Sequence, residues 1–149
     1  MLATTPLDWT WTVLVPIDPS RFYPKFGPIP ATVAVREQTG PWHIVGQTRK
    51  LILSDGGHVV ETITDVRPNA FFAYELTEFQ KAFKLLVDHA RAEWTYTETA
   101  DGTLVQWTYT FVPRKNRGWA VGLIVRLWWG SYMRSVLPEI VHEAERLAP

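Results

Sequence analysis

Four histidines, at positions 43, 58, 89 and 142, are the side chains whose ordinary pKa lies nearest neutrality. His43 and His58 fall beside turns, His89 precedes a strand and His142 lies on the polar side of the last helix, so each reads as exposed or structural. His89 and Glu93 share one side of a strand, but two ligands make no metal site. Cysteine is absent, which removes thiolate nucleophiles, disulfides and sulfur-ligated zinc together. There is no G-x-S-x-G, H-E-x-x-H, P-loop or G-x-G-x-x-G, so several reaction classes lose their usual support, and no cofactor or metal is expected. What the sequence concentrates instead is large aromatics with a polar tip: Tyr74, Trp94, Tyr96, Trp107 and Tyr109. They suit a pocket for a mostly apolar, aromatic or polycyclic molecule carrying one or two oxygens, although each taken singly fits plain core as well.

The elements that must position these residues are legible from pattern. "DWTWTVLVP" (Asp8 to Pro16) alternates aromatic or β-branched residues and stops at proline, which reads as a strand. Asp18 followed by Pro19 is a helix start, and the prolines at 24, 28 and 30 then impose a rigid loop. Successive strands are expected over about 31–38, 45–54, 58–66, 70–77, 91–99 and 103–112, with turns at "SDGG", "RPN" and "ADGT". "FQKAFKLLVDH" breaks the meander with helical spacing. Met133, Val136, Leu137, Ile140, Val141, Ala144 and Leu147 form the apolar stripe of a final helix, bent at Pro138.

In "EWTYTETADGTLVQWTYTF", an Asp101-Gly102 turn of type I′ pairs Ala100 with Thr103. Trp94 then faces Tyr109 and Tyr96 faces Trp107 on an aromatic side, with threonines, Gln106 and Glu93 on the other. The final helix is the cover for the aromatic side. The arrangement is α+β: a curved antiparallel sheet around a long C-terminal helix, with two short helices after the first strand.

A chain of 149 residues is one ordinary domain. Fifteen basic and fifteen acidic side chains leave no global field for nucleic acid or an anionic membrane, although Arg114, Lys115 and Arg117 form a local basic run, read as solvated surface. The start lacks the basic and apolar regions of a signal peptide, so a cytoplasmic protein is expected. No transmembrane segment is expected, since Trp119–Trp129 falls short of the ~20 residues a spanning helix needs. That segment is apolar nearly all round and must be covered or meet a partner, a homodimer included.

"WHIVGQTRKLILSDGGHVVETI", "NAFFAYEL", "AEWTYTETADGTLVQWTYTFVP" and "LWWGSYMRSVLPEI" resemble the SRPBCC superfamily, whose START-like helix-grip fold includes the birch-pollen allergen and polyketide cyclase/dehydrase proteins. The resemblance spans Trp9 to Leu147. It implies a small hydrophobic ligand, lipids among them, bound beneath the final helix, and it places Arg49 and Glu61 at the family's strand arginine and strand acid, pointing inward together. A two-residue Asp55-Gly56 turn would pair Arg49 with Thr62. A three-residue Asp-Gly-Gly loop, preferred here, gathers Arg49, Leu51, Leu53, Val59, Glu61 and Ile63 on one face. The pair either satisfies itself or anchors the polar end of a ligand.

The site expected from sequence is therefore Arg49, Glu61, Tyr74, Trp94, Tyr96, Trp107, Tyr109 and Met133. Its rim is the loop from Tyr23 to Pro30 and the region from Phe79 to Asp88. Binding is expected ahead of catalysis. The alternative is a cyclase or dehydratase-type lyase in which Glu61 works with Tyr74 or Tyr109 in acid/base roles. A dry ~300 Å³ pocket would cost ~7 kcal/mol, so the cavity should be collapsed by side chains, wet or occupied.

Overall fold

The computed structural model describes residues 1–149. The chain begins with a two-residue strand, β1 (Leu2–Ala3), and then forms helix α1 (Leu7–Leu14), where the alternating pattern suggested a strand. Its two threonines are accommodated without leaving the helix: Thr10 Oγ1 donates to the Pro6 carbonyl and Thr12 Oγ1 to the Asp8 carbonyl, each at 2.8 Å. Tertiary contacts supply the rest. Thr10 and Leu14 are buried, Trp11 packs edge-on against Phe72 and Tyr96, and the Trp9 indole N–H donates to the Ala144 carbonyl at 2.9 Å. Alternating tryptophans here serve two neighbours on different sides, not two faces of a sheet.

A 3₁₀ turn follows at Pro19–Arg21, capped as expected by Asp18, whose carboxylate accepts the Ser20 N–H at 2.9 Å. The sheet is then completed by β2 (Thr32–Arg36), β3 (Thr48–Leu53), β4 (His58–Arg67), β5 (Phe71–Thr77), β6 (Val87–Thr99) and β7 (Gly102–Pro113), with α2 (Lys81–Leu86) between β5 and β6. All neighbours are antiparallel, in the order β1-β7-β6-β5-β4-β3-β2.

The β6–β7 register differs from the sequence expectation by two residues. Trp94 faces Trp107, Tyr96 faces Val105 and Ala92 faces Tyr109, around a loop of Ala100 and Asp101. A local Asp-Gly preference loses here to a long-range contact. Gly102 sits at φ +131° with the Ala3 carbonyl oxygen only 2.1 Å from where a Cβ would be, so it belongs to the strand that receives β1. A shift of two preserves which side chains share a face, so the aromatic side survives. The β3–β4 hairpin gathers the preferred face but not through the expected Asp-Gly-Gly loop: the loop is Ser54, Asp55 and Gly56, which moves the register by two residues, keeps the same face and sets Arg49 opposite Glu61 and Leu51 opposite Val59.

From Gly118 the chain is helical almost to its end: α3 (Gly118–Ile124), a wider i→i+5 stretch over Val125–Trp129, and α4 (Gly130–Arg146) with Pro138 inside it. The buried face of α4 is Tyr132, Val136, Ile140, Val141, Glu143 and Ala144, one position off the expected stripe at its start; Met133 and Leu137 are half-buried and Leu147 is exposed. Val136, Ile140, Val141 and Ala144 join Phe72, Tyr74, Trp94 and Val105 in one core between helix and sheet. Glu143 is held by Arg21, at 2.8 Å, and by Arg146. No helix is long and apolar enough to cross a membrane.

Candidate functional site

The space between sheet and helix is divided in two. Arg49, which is 4% exposed, donates its Nε–H to Glu61 Oε2 at 2.6 Å and its Nη1–H to the Ile17 carbonyl at 3.0 Å. Its guanidinium lies 4.0 Å from the centre of the Trp42 ring. Trp42 is fully buried at φ +62°, a left-handed conformation that a bulky residue adopts only when packing imposes it. Glu61 Oε1 takes no hydrogen bond from the protein.

On the Arg49 side, helix α1 has filled the interior. Arg49, Tyr74, Trp94 and Tyr96 surround a void of only about 10 Å³ with Tyr23, Trp42, Phe72 and the end of α1. That is near the smallest space that holds one water. Four of the residues expected to meet a ligand therefore form a packed end of the core.

On the Glu61 side a partly enclosed, mostly apolar cavity of about 80 Å³ remains. Its floor is sheet, through Leu51, Val59, Glu61, Leu76, Trp107 and Tyr109. The roof is Trp129 and Tyr132, and the rim is Ile29 and Pro30 on one side and Phe79, Gln80 and Phe83 on the other. Both rim segments match the sequence expectation. Of the expected site residues, Glu61, Trp107 and Tyr109 line this cavity; Met133 does not, and Tyr132 stands in its place on α4.

Tyr23 belongs to both spaces, and its ring stacks on Trp107 at 6.0 Å and 13°. Trp107 stacks in turn on Trp94 at 4.7 Å, while Trp129 packs against Tyr109 at 4.8 Å and Tyr132 at 5.2 Å. Sequence reasoning placed Tyr23 only at the rim and left Trp129 out of the site. Tyr23 lies in a proline-rich loop with no periodicity. Trp129 lies in a segment apolar all round, and the wider turn at Val125–Trp129 decides which of its faces turns inward.

Burial governs the ionisation of these groups. It raises the Tyr23 hydroxyl well above the ordinary tyrosine range, helped by Tyr74 and Glu61. Burial does the same for Tyr74 and Tyr109, with Glu61 adding to each, and alone raises Tyr96 and Tyr132. The phenols at the cavity are neutral donors and acceptors. Burial also pushes Glu61 up, against the guanidinium of Arg49, which pulls it down.

Unpartnered donors add a further feature. Three buried indole N–H groups have no partner within the protein: that of Trp42, in the packed end of the core, and those of Trp107 and Trp129, both cavity-lining residues. An unmet buried donor costs about 1–3 kcal/mol, so two on one small cavity are unusual.

The antiparallel sheet gripping a long C-terminal helix, with a cavity between them, defines a START-like, SRPBCC-type protein. A family model described as "Polyketide cyclase / dehydrase and lipid transport" matches residues 9–145, and the chain belongs to that family. Zhui aromatase/cyclase from Streptomyces sp. R1128 is similar at 19% identity and TM-score 0.65, over 98% of this chain and 90% of that one. Protein MLL2253 from Mesorhizobium loti is similar at 16% identity and TM-score 0.63, over 100% and 96%. Ara h 8.0201 is similar at 11% identity and TM-score 0.59, over 95% and 94%. At these identities the likeness is one of fold. Comparison with curated proteins gives no match.

Proposed function

We propose that the protein binds a small, mostly apolar molecule bearing oxygen acceptors in the cavity between β-sheet and α4. The observation that carries this reading is the pair of partnerless indole donors, Trp107 and Trp129, on a wall that is otherwise largely aliphatic and aromatic. Loading a molecule with carbonyl or ether oxygens would give these donors partners, while its apolar body fills the space under Tyr132.

The cavity of about 80 Å³ is smaller than the ~300 Å³ at which ligand pockets begin, so loading requires a wall to move. Helix α2 is the wall suited to that. It is six residues long, buries none of them, and follows Glu78 and enters Lys81 at positive φ. Swinging it outward carries Phe83 away and lengthens the cavity. Dry, the 80 Å³ costs about 2 kcal/mol, a tolerable penalty that a ligand removes.

A second reading makes the same cavity a cyclase or dehydratase site. It is favoured by one feature, the upward-shifted carboxyl of Glu61 at the floor, close enough to Tyr23, Tyr74 and Tyr109 to raise the pKa of each phenol. Glu61→Gln would then abolish turnover while leaving binding intact.

Mass spectrometry of an organic extract of the purified protein, beside an identically purified Trp107→Phe, Trp129→Phe variant, tests the binding reading. The variant keeps an aromatic ring at each position and loses both N–H groups, along with part of each indole's volume. A stoichiometric oxygen-bearing apolar molecule is expected from the first and a strongly reduced amount from the second. Equal amounts in both would refute the role given to the indoles.

A further inference from the structure

The helix that roofs the cavity carries an exposed stripe that nothing in the fold covers. Trp119, Leu123 and Leu127 recur every four residues along α3 and the turn after it, at 73%, 48% and 50% exposure. Beside them Leu85 of α2 is 67% exposed. A largely exposed tryptophan with three exposed leucines on the same elements is not the ordinary scatter of single apolar residues on a surface.

The charges around this stripe are predominantly positive. Residues 113–129 contain Arg114, Lys115, Arg117 and Arg126 and no carboxylate, and α2 adds Lys81 and Lys84. The neighbouring acids are Asp88, 3.6 Å from Arg114, and Asp55 and Glu78 beside the start of α2. The whole chain balances fifteen basic against fifteen acidic side chains, so this face is net positive because most of the compensating carboxylates lie elsewhere. A second copy would bring the same positive face against this one, which like-charge repulsion opposes.

A short helix with tryptophan and leucine along one line and arginine and lysine beside it matches an interface that is apolar within and anionic at its surface. We propose that this face, α3 with α2, docks onto an anionic lipid bilayer, with Trp119, Leu123 and Leu127 entering the headgroup region and the six cations facing lipid phosphates. The face adjoins the cavity through Phe83 and Trp129, so docking sets the movable wall against the membrane. Docking itself does not depend on what the cavity holds.

Vesicle co-sedimentation of the full chain tests it, with phosphatidylcholine vesicles either pure or doped with phosphatidylserine. The protein is expected to bind the doped vesicles only, and less as salt rises. Arg114→Gln, Lys115→Gln, Arg117→Gln should weaken binding on the order of 100-fold, taking about fivefold for each cation lost. Trp119→Ser should weaken it at least tenfold. All four positions are exposed, so unchanged thermal unfolding serves as the folding control. Absence of binding to the anionic vesicles overturns the proposal, as does binding that both variants retain. Concentration-dependent dimerisation that Trp119→Ser abolishes, without vesicle binding, would assign the face to a second copy instead.

Discussion

Replacing Arg49 with methionine is expected to cost about 4–6 kcal/mol near neutral pH, and progressively less as the pH falls. Most of this is the charge left on Glu61, because breaking a buried ion pair by removing one partner costs about 3–5 kcal/mol. The Ile17 carbonyl also loses its donor, for about 1 kcal/mol more. Methionine keeps contact with the Trp42 ring, so the loss of the cation above it is offset in part. The sign with pH follows from the carboxyl. Burial already raises the folded pKa of Glu61, and without Arg49 opposing it the pKa rises further. A carboxyl raised on folding contributes stability that is complete below its unfolded pKa and lost as pH rises through the folded one. The variant should therefore recover toward acid by up to about 1.4 kcal/mol per pH unit relative to the unsubstituted protein. The carboxylates held low by their own partners, Asp65, Asp88, Glu143 and Glu145, act in the opposite sense but equally in both proteins, and cancel in the difference. Urea unfolding followed by tryptophan fluorescence from about pH 5 to pH 8 measures it. Arg49→Met with Glu61→Leu should regain most of the loss, since an apolar pair of similar volume is often neutral or better. A single-variant loss under about 1 kcal/mol, or a difference flat with pH, would refute the account of a buried, mutually dependent pair.

Gly102→Ala places a Cβ 2.1 Å from the Ala3 carbonyl oxygen, so β1 must leave β7. A loss of about 2–4 kcal/mol is expected, with faster hydrogen exchange at the Val105 amide, which donates to the Met1 carbonyl. Retained protection there would show that β1 does not set the hairpin register. Gly27→Ala meets a φ of +54° and the Trp128 ring at 2.5 Å, in the loop that carries Ile29 and Pro30 to the cavity rim. It should cost about 1–3 kcal/mol in thermal unfolding, and an unaltered melting temperature would mean that the loop yields freely.

Much of the fold was legible because its signals are local and mutually consistent. Strands β3 to β7 follow two-residue alternation between turn residues, α4 follows a helical stripe, and Asp18-Pro19 starts a turn that Asp18 does cap. The pairing of Arg49 with Glu61 was legible as well, because only one hairpin face is continuously apolar and the family resemblance places both residues inward. Helix α1 was not legible. "DWTWTVL" has a strand's alternation, and its helical form depends on what Trp9 and Trp11 meet on α4 and on the sheet. The β6–β7 register failed for a related reason: the Asp-Gly preference is worth little beside the backbone contact of β1, which lies about a hundred residues away along the chain.

The sequence by itself determined the parts of this protein that depend on near neighbours: a single antiparallel sheet with an aromatic face, a long amphipathic final helix, a buried arginine–glutamate pair and a rim of loop and short helix. Only the tertiary structure decided how the aromatic face is shared out. Packing of α1 and Trp42 turned Tyr74, Trp94 and Tyr96 into core, while Trp107, Tyr109, Tyr23 and Trp129 were left around a cavity. The physical reason is that binary pattern says which side chains turn inward, whereas the space between them is a small difference between large packed volumes, set by every element at once.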